Sequence, residues 1–262
     1  MNQYDGEYSR LLNQAPLLAA ARDRPTDRSR LQEELDISRA TAYRRTTGLV
    51  DRNLLEQTPR GYLTTGPGRA VADAVERFER TIEAVDRLEP LLERVTATEF
   101  TRHVDYFADA DLAVATPDHP NRPTDNWVER FSAADRFRGF VANGCPPVVS
   151  QEGAENAGGG FEMELVCTPL ALQADRNATD EAFETVVGAD GSAIYTHSDL
   201  PFTMSIFDDD VLVLVGFDDG TVYPAVTAAT DDPEALAWAD GLFRRYKSEA
   251  TAFEPLEADA PA

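Results

Sequence analysis

The segment FTMSIFDDDVLVLVGFDDGTVYPAV, residues 202–226, holds apolar runs too short for a helix, broken by two clusters of aspartate. Such runs bounded by turn residues read as strands, and the segment predicts three of them, at 202–207, 211–217 and 221–227, in an antiparallel meander. A chain containing this meander has to build a sheet around it. Further strands are expected at 111–116, 161–167 and 192–196, and helices at 125–137, 179–187 and 233–250. The last helix has Asp232 as cap, Pro233 at its first position, and Leu236, Ala239, Leu242 or Phe243, and Tyr246 along one face. Residues 95–262 are therefore expected to form an α/β domain with a mixed, largely antiparallel sheet.

The 262-residue chain has room for one large domain or two smaller ones, and at 42% hydrophobic it can bury a core. No apolar run is long enough to span a bilayer, and MNQYDGEYSR has neither the basic nor the apolar region of a signal peptide. Two cysteines, Cys145 and Cys167, make no disulfide framework, so a soluble, cytoplasmic setting without membrane contact is expected. The net charge of −23 is unevenly spread. Residues 1–60 hold ten arginines against nine acids, whereas residues 61–262 hold fourteen basic residues against thirty-eight acids. Lys247 is the only lysine. Dispersed carboxylates with almost no lysine resemble the proteins of salt-accumulating haloarchaea; an acidic protein from a GC-rich genome is the alternative.

The opening stretch reads as helices. Residues 7–21 carry a helical apolar pattern with a kink expected at Pro16. Thr26 or Asp27 caps a short helix over 28–35, and Leu31 and Leu35 share its face. Asp36 follows where a tight turn is needed, and aspartate tolerates a left-handed backbone. Ser38 then caps a helix over 39–52. Its inward positions are Ala42, Thr46, Leu49 and Val50, while Arg39, Ala40, Tyr43, Arg44 and Thr47 project outward. Two short helices joined by a tight turn make a helix-turn-helix, whose second helix enters the major groove. LLEQTPRGYLTT continues as strand, turn at Pro59-Arg60-Gly61, and strand, a hairpin of the size of a wing.

The order of a helix, Leu-x3-Leu-Asp-Ile-Ser, a Tyr-Arg helix, a Leu-Leu-Glu strand and a Gly-Tyr-Leu-Thr hairpin resembles an archaeal winged helix-turn-helix regulator. The resemblance implies a recognition helix at Ser38–Arg52 and a wing tip at Arg60-Gly61-Tyr62. The expected DNA contacts are Ser38, Arg39, Ala40, Thr41, Tyr43, Arg44, Arg45, Thr47, Arg60 and Tyr62. Two positions depart from the pattern. Thr46 stands where an aliphatic residue is usual and Gly48 where a helix former is expected, each weakening the helix by up to about 1 kcal/mol relative to alanine. Arginine grips phosphates and binds guanine O6 and N7 as a fork. In molar salt the Debye length is about 3 Å, so a DNA binder needs short-range contacts and a surface locally free of carboxylates. Residues 37–50 contain no Asp or Glu.

Next comes GPGRAVADAVERFERTIEAVDRLEPLLERV, expected as a linking helix over 67–94 with a kink before Pro90. Val71, Val75, Phe78, Ile82 and Val85 recur at alternating steps of four and three, an a/d seam that predicts a homodimer; an amphipathic helix packed on its own chain is the alternative. The domains expected are 1–66 for DNA binding, 67–94 for linkage and dimerisation, and 95–262 for sensing, an α+β arrangement overall. LPFTMSIFDDDVLVLVGFDDG followed by PEALAWADGLFRRYKSEA resembles the effector domain of FilR-type regulators and, more weakly, that of TrmB-type regulators. The resemblance implies transcriptional regulation, with a small-molecule effector or partner left unnamed.

Other chemistry finds little support. His103, His119 and His197 have no metal-ligand spacing, Gly158-Gly159-Gly160 lacks the rest of a phosphate loop, and no Gly-x-Ser-x-Gly elbow is present. Cys145 and Cys167 read as small buried residues or as a redox pair. Arg138-Gly139 before CPPVV reads as a surface arginine or as one wall of an anion pocket. No cofactor, metal site or enzymatic activity is expected. The competing functions are a catalytic domain at 95–262 and a winged-helix protein-interaction module of the transcription machinery with no operator of its own.

Overall fold

The computed structural model describes residues 5–144, 155, 161–178, 185 and 191–253. Cys145, the CPPVV segment, the glycine triplet at 158–160 and all but one residue of the helix expected at 179–187 lie outside them. The chain divides into two compact units, Met1–Ile82 and Glu83–Ala262.

The first unit opens with α1 (Asp5–Leu12) and α2 (Ala15–Ala20) in place of one kinked helix. The break has a local cause. Asn13 donates its side-chain amide to the Ser9 carbonyl at 2.6 Å, and Pro16 occupies the first turn of α2, where a missing N–H costs nothing. Helix α3 (Arg28–Glu34) is capped by Asp27, whose carboxylate accepts from the Arg30 amide at 3.0 Å. Asp36 takes φ +46°, the left-handed turn its type permits, and α4 (Arg39–Asp51) begins two residues after Ile37. Strands β1 (Leu55–Thr58) and β2 (Gly61–Thr64) pair antiparallel, and β2 is also bridged to Thr26. Gly61 has no substitute here. Its φ is +126°, and a Cβ would lie 2.5 Å from the Thr26 carbonyl oxygen. Leu17, Leu18, Leu31, Leu49, Leu55 and Tyr62 share one core.

Helix α5 (Gly66–Arg87) follows, and the division between the units falls inside it. It stops at Leu88, and a short α6 (Glu89–Leu92) restarts with Pro90 in its first turn, so the expected kink is a full break. Helix α7 (Thr98–Thr101) and a 3-10 turn (Val104–Phe107) lead into the sheet.

The second unit is built on eight strands: β3 (Asp111–Val114), β4 (Arg136–Val141), β5 (Glu162–Cys167), β6 (Ser192–Thr196), β7 (Thr203–Phe207), β8 (Val211–Phe217), β9 (Pro224–Thr230) and β10 (Thr251–Ala252). Their spatial order is β10-β6-β5-β4-β7-β8-β9-β3. The meander β7-β8-β9 is antiparallel, β4-β5-β6 is parallel, and β4 and β7 join the halves antiparallel, which makes the sheet mixed. Side chains alternate between faces along each strand. Phe140, Val166, Met204, Ile206, Leu212 and Leu214 face one core with Ala239, Leu242 and Phe243 of α10 (Pro233–Glu249). Phe137, Val141, Met163, Phe207, Val213 and Val215 face the other, against Trp127 and Phe131 of α8 (Arg122–Ala133) and Ala171 and Leu172 of α9 (Pro169–Ala178). The unit therefore has helix, sheet and helix layers.

Three differences from the sequence expectation have physical reasons. The helix expected to run to 137 ends at Ala133, because RFRGFV alternates faces and becomes the strand that joins the two halves of the sheet. The third meander strand starts at Pro224 rather than 221. Thr221 accepts a hydrogen bond from the Tyr223 amide and keeps those residues in the turn, and proline is tolerated as a first strand residue. Helix α9 was not expected at all; Thr168 caps its start by accepting from the Ala171 amide at 3.1 Å.

Arg138 is not a surface arginine: it lines a cleft with Arg136, Glu162 and Glu164, and it is already paired there. Its side chain is 15% exposed, held by Asp240 at 2.5 Å and by Asp209. Burial opposes its charge, but hydrogen bonds to those two carboxylates outweigh it and hold its pKa above the ordinary guanidinium value. Among the described residues no helix is long and apolar enough to cross a membrane. Gly139, next to Arg138, brings β4 close to β7: a Cβ there would sit 2.3 Å from the Met204 carbonyl oxygen. Gly139→Ala is expected to cost about 1–3 kcal/mol through forced backbone displacement, read as a lower thermal midpoint by circular dichroism.

Candidate nucleic-acid interface

Helix α4 begins where the backbone turns at Asp36 and Ser38 stops its first amides from being orphaned. The Ser38 hydroxyl oxygen accepts from the Thr41 amide at 3.2 Å, and the two hydroxyls lie 2.9 Å apart. Ala42, Thr46 and Leu49 are buried, which fixes the rotation of the helix. Arg39, Ala40, Tyr43, Arg44 and Thr47 consequently stand exposed, with Thr41 and Arg45 half-buried on the flanks. Thr46 is accommodated in the core without an unpaired hydroxyl, since it donates to the Ala42 carbonyl at 2.8 Å. Gly48 has no such account: a Cβ there would meet nothing within 4 Å.

The charges on this face are unspent. Elsewhere in the unit Arg22 pairs with Asp73 at 2.5 Å, Arg30 with Glu34 at 2.7 Å and Arg52 with Glu7 at 2.9 Å. No carboxylate of the described residues lies within 4.0 Å of the guanidinium nitrogens of Arg39, Arg44, Arg45 or Arg60. Arg60 sits on the separate hairpin tip, where its amide is held by the Thr58 hydroxyl at 3.2 Å.

Tyr62 does not belong to that tip. It is 7% exposed, packs in the core of the unit, and its hydroxyl takes a hydrogen bond from Arg28. The reason is the period of the strand: Tyr62 and Thr64 face inward while Gly61 and Leu63 do not. Arg28, absent from the sequence expectation, lies between two rings, 4.8 Å from the Tyr43 centroid and 5.3 Å from that of Tyr62. It thereby ties the exposed Tyr43, 58% accessible, to α3 and the hairpin. These contacts cross fifteen and thirty-four positions, beyond the reach of any local pattern.

The α5 seam also divides. Val75 is buried, and Val71 is half-buried against the core of the first unit. Phe78, Ile82 and Val85, at steps of four and three, are 51%, 47% and 42% exposed and form one uncovered apolar stripe. Among the described residues no group of three or more His, Cys, Asp or Glu could hold a metal ion. Cys167 is buried in β5.

Residues 120–249 match the family model for the middle domain of the methanogenesis regulatory protein FilR1. Residues 7–87 match the model described as the HVO_A0261 N-terminal domain. Together the two matches fit an archaeal transcription regulator. Comparison with curated proteins gave no match. Among solved structures, NucT from Helicobacter pylori is 12% identical at a TM-score of 0.44, with 55% of this chain and 98% of that chain covered. Nuc, a phospholipase D family member from Salmonella typhimurium, is 12% identical at 0.45, with 56% and 99% covered. TrmBL2, an archaeal chromatin protein, is 14% identical at 0.41, with 96% of each chain covered. None of these scores reaches 0.5, so none speaks to activity.

Core and tip residues of the hairpin separate in a stability measurement. Tyr62→Ala is expected to destabilise the first unit by about 3–5 kcal/mol, the cost of emptying a buried aromatic site. Arg60→Ala should stay within about 0.5 kcal/mol of wild type in the same urea titration.

Proposed function

We propose that this chain is a sequence-specific, DNA-binding transcriptional regulator that acts as a homodimer, with residues 95–262 sensing a small molecule or partner. In this reading the first unit is a winged helix-turn-helix. Helix α4 is the recognition helix, which presents Arg39, Tyr43, Arg44 and Thr47 to the major groove, while Arg60 reaches the backbone from the wing. The observation that carries it is the cluster of arginines on α4 that no described carboxylate neutralises, in a chain of net charge −23. Leaving guanidinium groups unpaired in so acidic a protein makes physical sense if phosphates or guanine edges complete them. The match of residues 120–249 to a regulator's middle domain supports the same reading.

The composition supports a salt-accumulating haloarchaeal cytoplasm. There, counterion release gives little affinity and recognition rests on short, geometrically matched contacts. Dimerisation rests on Phe78, Ile82 and Val85, whose exposed stripe would be covered by its own symmetry mate. A ligand of the α/β unit would change operator affinity only by binding one arrangement of the paired DNA-reading helices better than another. No catalytic role is proposed.

Operator binding in molar KCl tests the reading, with DNA from upstream of the protein's own gene and a scrambled control. Arg39→Ala and Arg44→Ala are each expected to weaken specific binding by about 1–3 kcal/mol while remaining folded. Binding left intact in both variants would move the function to a protein-interaction module. Ile82→Glu should shift the protein from dimer to monomer in sedimentation equilibrium.

A further inference from the structure

Arg28 opens helix α3, and two features of its place call for a reason beyond stability. Its Nε is buried and has no hydrogen-bond partner among the described residues, an arrangement that folded proteins avoid. No carboxylate of the described residues lies within 4.0 Å of its guanidinium nitrogens, in a chain that holds 47 acids.

The backbone here is fixed from behind. Thr26 and Tyr62 exchange both backbone hydrogen bonds at 2.9 Å, Asp27 caps the helix, and Gln32 donates its side-chain amide to the Arg28 carbonyl at 3.0 Å. The side chain is fixed as well, by its donation to the Tyr62 hydroxyl and by its contacts with the two rings. What this anchored cation reaches is Tyr43, 58% exposed on α4 with Arg39, Arg44 and Thr47 around it. An exposed side chain loses rotamer freedom when a ligand orders it, and that loss subtracts from affinity. Arg28 supplies the order before a ligand arrives. It also offsets the negative face of the ring, which by itself disfavours a neighbouring phosphate.

We infer that Arg28 is a positioning residue for DNA recognition, holding the Tyr43 ring in place for contact with the operator; this rests on the operator reading proposed above. Arg28 acts through Tyr43 and makes no contact of its own with the nucleic acid. An apolar side chain could fill the same space but would not attract both rings, whereas lysine would. The attraction is short-range and partly buried, so it persists in molar salt.

Operator affinity of the full chain in molar KCl, read by fluorescence anisotropy of labelled DNA, tests this in a double-mutant cycle. Circular dichroism first establishes that each variant is folded. Arg28→Met and Tyr43→Ala are each expected to weaken specific binding about fivefold or more, and the double variant no further than the weaker single. Combined with Arg60→Ala, by contrast, Arg28→Met should multiply the two separate losses. Arg28→Lys should stay within about twofold of wild type, because an ammonium also attracts an aromatic ring. Losses that multiply across Arg28 and Tyr43 would make Arg28 a direct contact and overturn the assignment, as would wild-type affinity in folded Arg28→Met. Arg28→Gln carries the comparison if the methionine variant does not fold. The two readings fail separately. Intact binding in Arg28→Met beside lost binding in Arg39→Ala removes this one alone, whereas a wild-type chain that binds no specific DNA removes both.

Discussion

Burial of the meander on both faces is the constraint from which the α/β unit follows. Strand β8 sends Leu212 and Leu214 to one core and Val213 and Val215 to the other, and β7 does the same with Met204 and Ile206 against Phe207. A strand apolar on both sides cannot lie at a solvated surface, so each face has to be covered by a helical layer. The aromatic cluster beneath α8 shows how one layer is fixed. Trp127 stacks on Phe131 at 4.9 Å and meets Phe137 and Phe207 edge-on at 5.6 Å, while its N–H donates to the Ser205 hydroxyl at 2.8 Å. The polar end of that large ring is therefore satisfied inside an apolar core.

The first unit depends on smaller devices. The left-handed Asp36, the Ser38 cap and the inward Thr46 together set the rotation of α4, and the rotation alone decides that arginines rather than leucines face outward. A single Cβ at Gly61 would push β2 off Thr26 and so disturb the strand that anchors Tyr62. From Tyr62 the chain of contacts runs through Arg28 to Tyr43 on the exposed face. The chemistry of the face is thus positioned by residues that lie behind it.

What could be read from the sequence follows the range of the forces involved. Caps, the turn at Asp36, the face of α4 and the C-terminal helix are decided by neighbours within four residues, and these were legible. Strand β4 was hidden because Arg136 and Arg138 look like solvated positions of a helix. The carboxylates of Asp209 and Asp240, 71 and 102 positions away, are what pair Arg138 in that strand. The neighbouring turn residues Pro59-Arg60-Gly61 suggest a place at the tip for Tyr62, whereas the alternation Gly-Tyr-Leu-Thr assigns it inward. The apolar period of α5 was legible as a period. Which of its residues meet their own chain and which stay uncovered was not, because Val71 and Phe78 belong to the same repeat.

Electrostatics distinguish the two kinds of arginine in this chain. Where a guanidinium stiffens the fold, it is matched: Arg138 lies between two aspartates, and Arg136 meets Glu162 at 2.9 Å and Asp209 at 3.2 Å. Pairs of this kind cost desolvation and gain little net energy from each ion, but once formed they neutralise the charge that would draw an anionic ligand. Where guanidinium groups stand without a described carboxylate, on α4, the acidic composition of the rest of the chain works against them by repelling a polyanion. In concentrated salt that repulsion decays within a few ångströms, on the order of 3 Å at 1 M, so a carboxylate matters only if it lies beside the contact itself. An acidic protein can then bind a polyanion through a face no wider than one helix, provided the turns that make the contact carry no acid. From 37 to 50 this one carries none.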